Sequence, residues 1–209
     1  MAVEEHWTNK GEIGLGNKAA LVIVDLQKMF CDDSSPMLQN LTGFKLDKCV
    51  ENTAKLAQVF RDKQLPVIHT TIAWRKDGLD TPYWKVKHLT DMMEPGSDWA
   101  AICDELTPEE SDIVMAPRKV PSAFFGTELK MVLIKNCCDT VVITGANTSG
   151  CIRASTVESF SHGFRTILPE QCIGDLLGLD AHIQNLKDVH NRYADVVELY
   201  TLIDKIKAL

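Results

Sequence analysis

The chain has 209 residues, enough for one sizeable core, and its 45% hydrophobic and 24% charged content is that of a globular protein, not a disordered one. A net charge of -7 gives no basic footprint for nucleic acid, and no apolar stretch is long enough to span a bilayer, so neither partner is expected. The N-terminal Met1-Ala-Val-Glu-Glu-His-Trp-Thr-Asn-Lys10 lacks the apolar centre of a signal peptide, and the seven cysteines are odd in number and irregularly spaced, which reads as reduced thiols in a cytoplasmic protein.

In chain order, Ala19-Ala-Leu-Val-Ile-Val24 reads as a buried strand ending at Asp25, and Leu46 to Lys63 has helical spacing of its apolar residues. Pro66 to Ile72 reads as a second strand. Residues 74–98 are rich in Trp, Pro, Gly and Asp and read as a long loop or lid. Asp112 to Met115 is a short strand, Thr127 to Lys135 a helix, Val141 to Ile143 a strand and Ile152 to His162 the helix behind it. Thr166 to Leu168, Ala181 to Tyr193, Asp195 to Leu199 and Leu202 to Ala208 complete the pattern as strand, helix, short strand and helix. No repeat or linker divides the chain, so one domain over 1–209 is expected, with 1–17 as an N-terminal extension.

Unbroken apolar strands alternating with helices imply a three-layer α/β/α domain around a mostly parallel, Rossmann-like sheet. Ligands in such a sheet sit beyond the carboxyl ends of the strands. Asp25, the segment near Lys119, and Cys151 all follow apolar runs, so they are expected along one edge. Cys151 lies in Thr144-Gly-Ala-Asn-Thr-Ser-Gly-Cys151-Ile-Arg, where a strand breaks sharply into a helix. Unpaired N–H groups at a helix start favour a thiolate, which would make Cys151 a nucleophile, although a free cysteine is also commonly a small buried hydrophobe. Asp25 suits a general base, or equally a helix cap. Lys119, between Pro117 and Pro121, would stabilise the thiolate, or it is a solvated loop lysine.

Together these segments resemble the isochorismatase-like cysteine hydrolases, nearest to the N-carbamoylsarcosine amidase-like branch. The resemblance rests on Asp25-Leu-Gln27, Ser122-Ala-Phe-Phe-Gly-Thr-Glu-Leu129, Val142 to Thr156 around Cys151, Cys172-Ile-Gly-Asp175, His182 and Tyr193-Ala-Asp-Val196. It implies a triad of Asp25, Lys119 and Cys151 as base, cation and nucleophile. It implies a cis peptide at Ala146–Asn147 and an oxyanion hole from the N–H groups of Asn147 and Cys151. Substrate contacts are expected from Gln27, Phe30, Trp74, Arg118, Phe124, Ala146 and Leu176.

Two departures from the family pattern stand out. The family's lysine usually stands four residues before the serine of Ser-Ala-Phe, where this chain has Arg118; Lys119 is expected to serve through a one-residue bulge, with Arg118 as the alternative. Leu176 stands where amidases of carboxylated substrates commonly place a carboxylate-gripping arginine. The apolar Trp74, Tyr83, Trp84 and Trp99 would form either a wall over the site or a surface cluster or subunit interface. His69 is present without the Asp-x-His of the metal-binding branch, so no metal and no cofactor is expected, and His88, His162, His182 and His190 read as surface or capping residues. The reading is a cysteine amidohydrolase of small amide, carbamoyl or ureido compounds. The alternatives are an isochorismatase hydrolysing an enol ether, or a degenerate oligomeric binding protein. Resemblance to the family also implies a homodimer or homotetramer.

Overall fold

The computed structural model describes residues 11–40, 46–81, 83 and 92–209. Seven strands form one sheet: β1 (Ala19–Val24), β2 (Val67–Thr70), β3 (Ile113–Val114), β4 (Thr140–Ala146), β5 (Arg165–Pro169), β6 (Ile173–Gly174) and β7 (Asp195–Val197). Their order is β3-β2-β1-β4-β5-β7, with β6 paired to the far end of β4, and every pairing is parallel. Burial explains the sequence pattern: all residues of β1 and β4 are buried, because helices cover both faces.

The helices are α1 (Lys28–Cys31), α2 (Asp47–Asp62), α3 (Leu129–Lys135), α4 (Arg153–Ser161), α5 (Leu179–Arg192) and α6 (Leu199–Lys207). Leu56 and Phe60 of α2 and Leu202 and Ile206 of α6 pack with Leu21 and Ile23 on one face. Leu129 and Leu133 of α3 and Leu186 and Val189 of α5 pack with Val22 and Ile143 on the other. The alternation of Leu21, Val22, Ile23 and Val24 between the two clusters is the period-two alternation of a strand. The start of α5 lies two residues before, and that of α6 three before, the starts read from sequence. Strand β6 and helix α1 are too short to leave a periodic signal. No helix among the described residues is long and apolar enough to cross a membrane.

The order of strands fixes where a site can lie. The chain runs from β1 outward through β2 to β3, then returns to the other side of β1 as β4. Loops leaving β1 and β4 therefore diverge to opposite sides and leave a crevice at their carboxyl ends. Gly145 sets how tightly that crevice is drawn. It pairs with Val24 and has φ +117, and a Cβ there would stand 1.9 Å from the Val24 carbonyl oxygen. Both the left-handed backbone and the close approach require glycine. Gly145→Ala is therefore expected to lower stability by about 2–3 kcal/mol in urea unfolding through steric strain and to part β1 from β4. A wild-type midpoint would contradict the close approach.

Candidate active site

Asp25 follows β1 directly and has φ +55, a left-handed conformation that Asp tolerates better than most residues. Its N–H donates to the Thr70 carbonyl (3.1 Å), so the chain is still tied to β2 as it turns off the strand. The carboxylate is buried. A buried carboxylate needs a partner, and here it is Arg118. The guanidinium donates to both carboxylate oxygens, Nη1 to Oδ1 and Nη2 to Oδ2 (2.6 Å). Its other hydrogens go to the Pro121 carbonyl, from Nη2 (2.8 Å) and Nε (3.3 Å), and to Thr70 Oγ1 (3.5 Å). All of its donors are thus engaged.

The expectation that Lys119 fills this place is corrected by the geometry. Arg118 lies in an extended segment beside the chain after β2: its N–H donates to the Thr71 carbonyl (3.0 Å), and it bridges to Ile72. Neighbouring residues on an extended chain point opposite ways. With residue 118 turned inward, residue 119 turns outward. Lys119 Nζ donates to the Ala73 carbonyl (2.7 Å) and pairs with Asp80 (2.7 Å), half exposed. Arginine thus occupies the position four residues before Ser122.

Cys151 completes the group from β4. The chain leaves the strand through a cis peptide at Ala146–Asn147, makes a wide turn over Thr148–Ile152, and enters α4. The buried thiol faces the Asp25–Arg118 pair, and the charges of both act on its ionisation. Burial pushes the thiol's pKa up and Asp25 pushes it further, against the pull of Arg118. The resting group is therefore a thiol, not the thiolate that a helix start alone would favour. Burial opposes the charge on Arg118, but Asp25 outweighs it and the net shift is upward, so that side chain stays cationic.

The remaining expected residues divide. Gln27 is fully buried, and its amide is used by the backbone: Nε2 donates to Ile72 O (2.9 Å) and Ala100 O (2.7 Å), and Oε1 accepts from Ile72 N (3.0 Å). It stitches three segments together, which corrects its expected role as a substrate contact. Phe124 packs in the same cluster as Cys151, its ring 5.5 Å from that of His162. Phe30, Trp74, Ala146 and Leu176 belong to the other apolar cluster, and Trp74 Nε1 donates to the Lys119 carbonyl (3.1 Å). Of the aromatic loop residues, Tyr83 is exposed, Trp99 is half-buried and Trp84 lies outside the described residues. A groove of about 560 Å³ runs between Val120–Pro121 and Arg153, Ala154 and Val157 of α4; Asp25, Arg118 and Cys151 do not line it.

Residues that carried no assigned role in the sequence also shape the site. Asp175 is fully buried and accepts from Ser149 N (2.6 Å) and Leu177 N (3.0 Å). Thr148 Oγ1 donates to Gly174 O (3.0 Å) and stands 2.7 Å from His182 Nδ1. His182 is thus a buried partner of the turn that carries Cys151, not a surface residue, while His88 lies outside the described residues. Ser155 Oγ donates to the Cys151 carbonyl (2.7 Å) and accepts from Ala123 N (2.9 Å), joining the Arg118 loop to the cysteine turn. The sequence signal for Asp175 and His182 was their place in the family-like segments.

Residues 19–200 match the Isochorismatase domain family. The chain belongs to the isochorismatase family. Among its relatives, maleamate amidohydrolase of Pseudomonas putida is 36% identical over 200 residues, covering 94% of this chain and 91% of that one. N-carbamoylsarcosine amidase of an Arthrobacter species is 30% identical over 206 residues, 96% of this chain and 75% of that protein. The crystal structure of N-carbamoylsarcosine amidase from Thermoplasma acidophilum superposes with a TM-score of 0.73 at 25% identity, covering 88% of this chain and 97% of that one. The parallel sheet flanked by helices is the isochorismatase-like α/β fold.

Proposed function

We propose that this family member is a cysteine amidohydrolase that cleaves the C–N bond of a small amide, carbamoyl or ureido compound through an acyl-enzyme on Cys151. The observation that carries the reading is the buried Asp25 held from both oxygens by Arg118, beside a buried Cys151 thiol whose ionisation both groups influence. The names of the similar amidohydrolases support the same class of reaction.

In the proposed steps, Sγ of Cys151 attacks the substrate carbonyl carbon while Asp25 takes the thiol proton through a lone pair that Arg118 leaves open. The tetrahedral oxyanion is received by the N–H groups of Asn147 and Cys151. Asp25 returns the proton to the nitrogen, the C–N bond breaks, and ammonia or an amine departs. Asp25 then deprotonates water, which hydrolyses the thioester and restores the thiol. Arginine holds its proton throughout, so Asp25 alone carries both transfers and Arg118 supplies fixed positive charge.

Leu176 cannot grip a carboxylate, and Arg118 has no spare donor. Uncharged amides are accordingly expected to turn over faster than carboxylated ones. The test is an ammonia-release assay across both groups, with maleamate and N-carbamoylsarcosine in the carboxylated arm. Release that favours the neutral arm supports the reading. Silence across both arms contradicts the amidohydrolase assignment.

A further inference from the structure

The turn that carries Cys151 is not held by its own helix. Gly150 leaves helical geometry (φ -112, ψ -105), so the ladder of α4 does not fix Ser149 relative to Cys151. A second segment holds it instead. Strand β6 pairs Ile173 with Gly145 and Gly174 with Ala146, and the three residues after Ile173 then fasten the turn point by point. Thr148 Oγ1 donates to Gly174 O (3.0 Å), Leu176 N donates to Asn147 Oδ1 (2.9 Å), and Ser149 N donates to Asp175 Oδ2 (2.6 Å).

Asp175 is the centre of this clamp. Its carboxylate is fully buried, and no ion pair to a Lys or Arg is formed by it among the described residues. A buried carboxylate is kept only where hydrogen bonds replace water. Here Oδ2 takes the Ser149 N–H and Oδ1 takes the Leu177 N–H (3.0 Å). An amide has one acceptor oxygen and could hold only one of these donors, so the geometry uses what is particular to a carboxylate. Thr148 is fastened in the same place. With its hydrogen given to Gly174, its oxygen accepts from Nδ1–H of His182 at 2.7 Å. The two backbone donors of the proposed oxyanion hole, Asn147 and Cys151, lie two residues before and two residues after Ser149.

We propose that Asp175 is a positioning residue that sets the oxyanion hole by holding the Ser149 N–H, with Thr148 as its second tie. The inference rests on the amidohydrolase reading and deepens it. Asp175 touches neither substrate nor thiol; it acts through the backbone that presents the two donors. Its loss should therefore slow reactions that build a tetrahedral oxyanion and spare a reaction of the same thiol that builds none.

Two probes of Cys151 separate these cases. With p-nitrophenyl acetate, Sγ attacks the ester carbonyl, the thiol proton passes to Asp25, p-nitrophenolate leaves and an acetyl thioester remains. With iodoacetamide, the thiol proton again passes to Asp25, the C–S bond forms as the C–I bond breaks, iodide leaves and no oxyanion develops. Both adducts are mapped to Cys151 by peptide mass. Asp175→Asn, nearly isosteric, is expected to slow acetylation by about 10²-fold, while alkylation stays within about 2-fold of wild type. Thr148→Val, which keeps the side-chain shape, is expected to show the same selective loss, so the inference stands or falls even if Asp175→Asn does not fold. Equal losses with both probes, or acetylation unchanged, overturn it. Failure of the underlying reading is visible separately: wild-type acetylation that maps to Cys137 or Cys31 and not to Cys151 rejects the nucleophile itself, and the inference with it.

Discussion

Cys151→Ala is expected to abolish hydrolysis while leaving the protein folded. Removal of the nucleophile from a covalent catalyst lowers kcat by on the order of 10⁶-fold, about 8 kcal/mol of transition-state stabilisation. The fold has little to lose. The resting group is a neutral thiol in an apolar cluster with Phe124 and Ile152, so alanine removes one sulfur atom and no charge. A stability change of about 1 kcal/mol is expected from the lost apolar contact. Activity loss without unfolding is thus the signature, read as ammonia release beside a urea midpoint. Turnover that persists in Cys151→Ala would point to direct attack by water, and isochorismate turnover surviving the substitution would favour enol-ether hydrolysis.

Arg118→Ala is expected to act on both stability and rate. It leaves Asp25 buried and without a cation, the situation in which breaking a buried pair destabilises by about 3–5 kcal/mol. Against a typical total stability of about 5–15 kcal/mol, that is a large shift of the unfolding midpoint. The remaining folded protein should have little activity, because Asp25 loses the fork that fixes its orientation. Arg118→Lys restores the charge but not the two parallel bonds, and is expected to recover only part of either property. Lys119→Ala is the contrast. Its pair with Asp80 is half exposed, so a loss of no more than about 1 kcal/mol and a modest rate effect are expected. Equal, mild effects of Arg118→Ala and Lys119→Ala would contradict the assignment of the cation.

The sheet was legible because β1 and β4 are buried on both faces and must be apolar throughout. Asp25 and Cys151 were legible for the same reason: each follows such a run directly, and parallel strands carry their ends to one edge. The exchange of Lys119 for Arg118 shows where that reasoning stops. Spacing from Ser122 favoured residue 118, while the tunable charge of lysine favoured residue 119. The choice is made by the pairing of Arg118 with Ile72, which no local pattern announces. Gln27 was misread for a similar cause. Its partners, Ile72 and Ala100, stand 45 and 73 residues away, so its amide looked available from the sequence. Asp175 was visible as a motif letter only, because its partner Ser149 lies 26 residues back across the turn of β6.

The most direct test of the account is to stop a turning-over reaction in acid and weigh the peptide that contains Cys151. The account predicts a mass increment equal to the acyl part of the substrate on that peptide, labile to base, present during turnover and gone once substrate is consumed. Steady ammonia release with Cys151 unmodified at every time point, and undiminished in Cys151→Ala, would contradict it.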